Sequence, residues 1–144
     1  YYLVSPVEAV ATLGLTSNGN ILLVEQYRHP IQEVIFDLPA GSLNSGEKPI
    51  DGARREFEEE TGFFPNHIEL LGYYNQFPGI LQAGTHLFFA KNLTPTQQNL
   101  DPGEELEVHD MPVNDLVDWI LSGKTVDGSL QLAILLALKK GLII

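Results

Sequence analysis

Residues 55–62 read REFEEETG, which sets four glutamates, Glu56, Glu58, Glu59 and Glu60, within five positions. Like charges spaced i,i+4 on a helix each cost a few tenths of a kcal/mol, so folding alone gives little reason for the crowding. On a helix, Glu56, Glu59 and Glu60 stand at i, i+3 and i+4 and share one face, opposite an apolar stripe led by Phe57, while Glu58 points elsewhere. Three carboxylates at that spacing offer an oxygen-rich site to a hard divalent cation such as Mg²⁺ or Mn²⁺. The cation would offset the repulsion. Taken alone, the segment reads more readily as a solvated acidic face partnered by Lys48, Arg54 and Arg55, as charge runs usually are. The surrounding chain has to decide between the two.

The elements that must carry these residues follow from pattern. EAVATLGLT and ILLVEQYR are β-rich runs separated by SNGN, whose Asn-Gly pair signals a hairpin. EVIFDLPAG reads as a short strand ending at Pro39, because proline cannot donate to a ladder. The loop GSLNSGEK leads into a helix with Pro49 in its first turn, an inner stripe of Ile50, Ala53 and Phe57, and Gly62 as a left-handed cap. HIELLGYYNQ, THLFFAKN and ELEVHDM read as further strands, with FPGILQAG and NLTPTQQNLDPG as loops. Two helices close the chain, one from near Pro112 that buries Val113, Leu116, Val117 and Ile120, the other from about Ser129 to Lys140. Strands mixed with helices that cover both sheet faces predict an α+β protein arranged as an α/β/α sandwich.

Bulk properties narrow the functions. A chain of 144 residues, 44% apolar and 9% aromatic, fits a single domain over residues 1–144. With 19 acidic against 8 basic side chains the net charge is −11, which argues against nucleic acid or an anionic membrane surface as partner. There is no cysteine, hence no disulfide framework and no thiolate chemistry, which fits a reducing, cytoplasmic setting. YYLVSPVEAV lacks a basic region leading into an apolar run and does not read as a signal peptide. LQLAILLAL is far short of the ~20 residues that cross a bilayer and reads as a buried helix. The four histidines are scattered without the i,i+4 spacing of a helical zinc site, and neither a Walker loop nor a dinucleotide glycine fingerprint occurs.

From Gly41 the chain reads GSLNSGEKPIDGARREFEEETGF, with Gly41, Glu47, Arg55, Glu56, Glu59, Glu60 and Gly62 at fixed spacing. This resembles the signature box of the Nudix hydrolases at all seven fixed identities, a coincidence on the order of one in a million at ordinary residue usage. Phe57 and Phe63 depart from it only in standing where the family favours aliphatic residues. The resemblance implies a Nudix fold, with a mixed sheet between helices and the box forming loop, helix and loop. It implies metal-dependent hydrolysis of a nucleoside diphosphate linked to another moiety. It also makes Glu56 and Glu60 the main metal ligands, Glu59 a further ligand or water-positioning group, and Arg55 the residue that orients the carboxylates. The branch that cleaves ADP-ribose adds the backbone carbonyl before the box glycine, here that of Ala40 preceding Gly41. Physical need runs the same way, since a diphosphate repels both hydroxide and an acidic protein unless a shared cation intervenes.

Substrate class rests on further likenesses. Pro78, followed by Gly79, lies sixteen residues beyond Gly62 and is similar to the marker of the ADP-ribose branch, though Pro-Gly is also an ordinary turn pair. QYR, ending at Arg28, resembles the place where that branch contacts substrate phosphates, a task suited to the forked donors of arginine. Relatives take a base from a late loop, which here offers Glu104 ahead of Glu105. The expected partner is therefore a nucleoside diphosphate sugar such as ADP-ribose, cleaved to a nucleoside monophosphate and a sugar phosphate, with the chain acting as a homodimer. A non-catalytic nucleotide-sensing module and a nucleoside triphosphate hydrolase remain alternatives. Tyr1 and Tyr2 could stack on a base or fray.

Overall fold

The computed structural model describes residues 7–124 and 126–144; Tyr1 and Tyr2 lie outside them. Strands β1 (Ala9–Leu15) and β2 (Asn20–Arg28) pair antiparallel through the expected turn, where Gly19 adopts φ 80°. β3 (Glu33–Asp37) continues antiparallel along β2. It ends two residues before Pro39, and the chain then re-enters the sheet as β4 (Ala40–Ser42), antiparallel to β1. A three-residue strand has no period to detect, so β4 was not expected. Helix α1 (Pro49–Thr61) follows, with Pro49 at its start and Gly62 at φ 73° closing it by donating its N–H to the Glu58 carbonyl at 2.9 Å.

β5 (Phe63–Asn75) begins directly after that cap, earlier than the apolar pattern indicated. It pairs antiparallel with β6 (Gly84–Pro95), which absorbs NLTP from the expected loop because Pro95 still stands opposite Phe63. β6 runs parallel to β1, and β7 (Glu107–Pro112) antiparallel to β2, so the sheet is mixed in order β3-β2-β1-β6-β5 with β4 and β7 branching from it. Helices α2 (Val113–Leu121) and α3 (Gly128–Lys139) complete the chain; Asp127 caps α3 by accepting the Ser129 N–H at 2.8 Å.

The sheet has a helix layer on each side. Leu13, Leu23, Leu87 and Phe89 face Leu116, Leu130, Ala133 and Ile134 in the larger core. On the other face Val10, Ile68, Phe88 and Ala90 pack on Ala53, with Ile50 against them. Phe57 is fully buried, and its ring fits where an aliphatic residue was expected because Gly14 has no side chain; a Cβ there would lie 2.6 Å from the ring. That contact presses α1 flat on β1. Three elements thereby meet, α1, β1 and β4, with α1 also touching β2 and the end of β3 leading into β4. Among the described residues no helix is long and apolar enough to cross a membrane.

Candidate active site

Arg55 is the hub of α1. Its Nε and Nη2 donate to the two carboxylate oxygens of Glu47 at 2.9 Å each, a forked pair. Nη1 donates to Glu56 at 2.7 Å and Glu59 at 3.3 Å, and Nη2 also to the Ser42 carbonyl at 3.2 Å. Every donor of the guanidinium is thus spent on the box or on β4. Glu47 is in turn fixed by the Asn44 N–H at 3.0 Å, and the Arg55 hydrogen bonds, with that backbone bond, pull its pKa down to about 2. Glu47 was read from sequence only as a fixed letter of the box; its job as a brace for Arg55 appears once the loop is folded.

β4 supplies the floor. The Ala40 N–H donates to Glu60 Oε2 at 3.0 Å, and a Cβ on Gly41 would overlap the Glu56 carboxyl, so only glycine lets that carboxylate lie on the strand. Glu60 does not stand on an open face opposite Phe57, as the helical wheel suggested; it is 4% exposed, folded under the helix against β4. Its pKa is pushed up to about 8, first by burial and then by the charges of Glu56, Glu104 and Asp37, against the Ala40 hydrogen bond. Burial likewise raises Glu56 despite its contact with Arg55. Arg55 reaches Glu47, Glu56 and Glu59, and Glu60 is left with a backbone N–H for company. A buried carboxylate beside another carboxylate, with no cation of its own, suits a hard divalent ion.

The other expected residues divide. Glu104 sits at the loop end, accepting the Asp101 N–H at 2.9 Å, with its charge felt at both Glu56 and Glu60. Glu105 beside it is exposed. Arg28 closes β2 and donates through Nη2 to Asp37 Oδ2 at 2.9 Å. Asp37 is buried, with its pKa raised to about 6 by burial and by Asp127, partly offset by Arg28. No role was assigned to Asp37 from sequence, although strand alternation puts it on the same face as buried Ile35, an inward place that needs a partner. Arg28 helps line a cavity of about 740 Å³ with Ile31, Ile35, Tyr74, Phe77 and Asp127. Pro78 and Gly79 lie in the exposed turn that follows Phe77, where the Ile80 N–H meets the Phe77 carbonyl at 3.0 Å; neither borders that cavity.

A second acidic group forms across strands rather than along a helix. Glu25, Glu107 and His109 bring three ligand atoms within 4.8 Å of one another, with His109 Nε2 3.5 Å from each carboxylate. The sequence spacing of the histidines had given no sign of this, because β2 and β7 pair far apart in the chain.

The NUDIX domain family matches residues 6–130. The chain belongs to that family. An ADP-ribose pyrophosphatase from Bacillus subtilis is 34% identical over 128 residues, which cover 88% of this chain and 69% of that protein. A mouse ADP-sugar pyrophosphatase is 35% identical over 104 residues, covering 67% of this chain and 47% of that protein. A solved structure of an ADP compounds hydrolase superposes with TM-score 0.83 at 22% identity, over 99% of this chain and 78% of that one, and bears out the α/β/α Nudix fold. The chain is an enzyme, a Nudix hydrolase.

Proposed function

We propose that this Nudix hydrolase cleaves the diphosphate linkage of ADP-ribose or a related nucleoside diphosphate sugar, releasing a nucleoside monophosphate and a sugar phosphate. The observation that carries the reading is the arrangement around α1: Arg55 holds Glu56 and Glu59 in place while Glu60 lies buried with no cationic partner among the described residues. The substrate class is supported by relatives whose names specify ADP-ribose and ADP-sugars.

Glu56, Glu60 and the Ala40 carbonyl would hold Mg²⁺ or Mn²⁺, with Glu59 as a further ligand or as the group that positions water. Bound there, the ion supplies neutralisation of phosphoryl charge and a lowered pKa for attacking water. The protein's own residues do the rest. Arg55 keeps two carboxylates from drifting apart under mutual repulsion, and Glu47 keeps Arg55 from following either one. Gly41 lets the Glu56 carboxylate lie against the backbone. Glu104, on a loop that can move, takes the proton of the attacking water, with Glu105 the substitute if the loop shifts by a residue. Arg28 donates to the phosphate oxygens, and the turn at Pro78 and Gly79 borders the sugar or base. Exposed Tyr27, Ile31, Phe77 and Ile80, near the Arg28 cavity, support a homodimer that covers this side; sedimentation of the purified protein decides that point.

Turnover of a nucleotide-sugar panel with Mg²⁺, with products identified by mass, tests the reading. ADP-ribose should yield AMP and ribose 5-phosphate, and Glu59→Gln should lose turnover while still binding substrate. Wild-type protein that cleaves none of the panel overturns the proposal.

A further inference from the structure

Arg28 ends β2, and its ladder partner is Glu33, yet its guanidinium goes elsewhere. The hydrogen bond runs to Asp37, which faces Val24 in the same ladder, four residues further along the hairpin. At a strand rise of ~3.4 Å per residue, four residues span roughly 13 Å, so the arginine must lie extended along the sheet to make the bond. The far end is a fixed point. Asp37 is 3% exposed, and its second oxygen, Oδ1, accepts the Leu38 N–H at 2.8 Å, so the carboxylate cannot turn. Asp37 precedes the segment Leu38, Pro39, Ala40 that carries β4, and its charge is felt at Glu60. An arginine rooted at the end of the hairpin is thereby tied to the strand end that leads into β4, where the Ala40 N–H binds Glu60. Nη2 uses one N–H on Asp37, and the remaining donors of the fork have no partner among the described residues, on a side chain still 45% exposed.

We propose that Asp37 is a positioning residue for the reaction: it pins the Arg28 guanidinium at the strand end that leads into β4, so that its remaining donors meet the substrate diphosphate already ordered. Asp37 touches no substrate itself. A flexible arginine left unpinned would have to be ordered by each incoming substrate, and the loss would fall on binding. This rests on the functional reading above, in which Arg28 contacts phosphate. A carboxylate retained only to be neutralised by Arg28 gives a different pattern, because removing it would disturb folding and leave substrate affinity unchanged in the molecules that fold.

The test is a double-mutant cycle on full-length protein, comparing wild type, Asp37→Asn, Arg28→Ala and the double variant. Steady-state kinetics with ADP-ribose and Mg²⁺ are read beside ADP-ribose binding to magnesium-free protein by calorimetry, with melting temperature as the folding control. Asp37→Asn keeps the shape if Asp37→Ala fails to fold. We expect Asp37→Asn to raise KM about tenfold with kcat within about threefold, and to weaken metal-free binding in step. In the Arg28→Ala background the same change should cost nothing further. Asp37→Glu, which restores a carboxylate, should recover part of the loss. An unchanged KM in Asp37→Asn, or an effect that persists undiminished without Arg28, overturns the assignment while leaving the hydrolase reading intact. Wild-type protein that cleaves none of the nucleotide-sugar panel overturns the functional reading and this inference with it.

Discussion

Replacing Glu60 by glutamine should stabilise the metal-free protein, although it removes a proposed metal ligand. Burial holds the folded pKa of Glu60 near 8, against 4.5 for an ordinary glutamate. At pH 7 the unfolded chain carries the ionised form and the folded chain must take up a proton. With 1.36 kcal/mol per unit between 4.5 and 7, that uptake costs about 3 kcal/mol. Glutamine has the same shape, keeps an acceptor for the Ala40 N–H and carries no charge to desolvate. For a chain of 144 residues, about 3 kcal/mol corresponds to roughly 10 °C in melting temperature. Scanning calorimetry in EDTA at pH 7 reads the difference directly. Because the cost comes from proton uptake, the gain should shrink as the pH is lowered toward 4.5 and should disappear there. Added Mg²⁺ should raise the wild type and leave Glu60→Gln nearly unmoved. A variant that melts at or below wild type in EDTA, or one that gains equally from Mg²⁺, would show that Glu60 is not a buried carboxylate short of a cation.

Other consequences follow from the same geometry. Glu47→Gln should unfork Arg55 and lower kcat by about tenfold or more with a modest loss of melting temperature, measured by turnover and calorimetry. Gly41→Ala should displace the Glu56 carboxyl and weaken Mn²⁺ binding by at least about tenfold in a calorimetric titration, while circular dichroism stays native. The pH profile of metal-free stability should be a dome. Asp37 and Glu60 have raised pKa values, about 6 and about 8, so their stabilisation is complete below the unfolded values and is lost as pH rises through those points. Glu47 has a lowered value of about 2, so its contribution is present above 4.5 and is lost as pH falls toward 2. Thermal melts across this range should therefore peak in mildly acidic solution, and saturating Mg²⁺ should flatten the upper limb.

The sequence carried the helix and its chemistry because the box is local. Pro49, the stripe through Ala53 and Phe57, and Gly62 all act within one helix, so spacing alone specified them. It also carried the opening hairpin, since Asn-Gly fixes that turn. What it could not carry depends on residues distant along the chain. The burial of Glu60 comes from β4, a strand too short to show a period, pairing with β1 and closing over the helix end. The accommodation of Phe57 comes from Gly14, more than forty residues earlier. The fixing of Arg28 by Asp37 needed the β2–β3 register, and the group of Glu25, Glu107 and His109 needed β2 and β7 to meet. The first spans only nine residues but hangs on hairpin register; the second is a long-range fact that no window of sequence contains.

The central claim is that a divalent ion sits between Glu56 and Glu60 against β4. Diffraction from crystals soaked in Mn²⁺, recorded on both sides of the manganese absorption edge, tests it most directly. An anomalous peak should appear in contact with Glu56, Glu60 and the Ala40 carbonyl and be lost in Glu60→Gln. A peak at Glu25, Glu107 and His109 alone, in protein that still cleaves ADP-ribose with Mn²⁺, would contradict it.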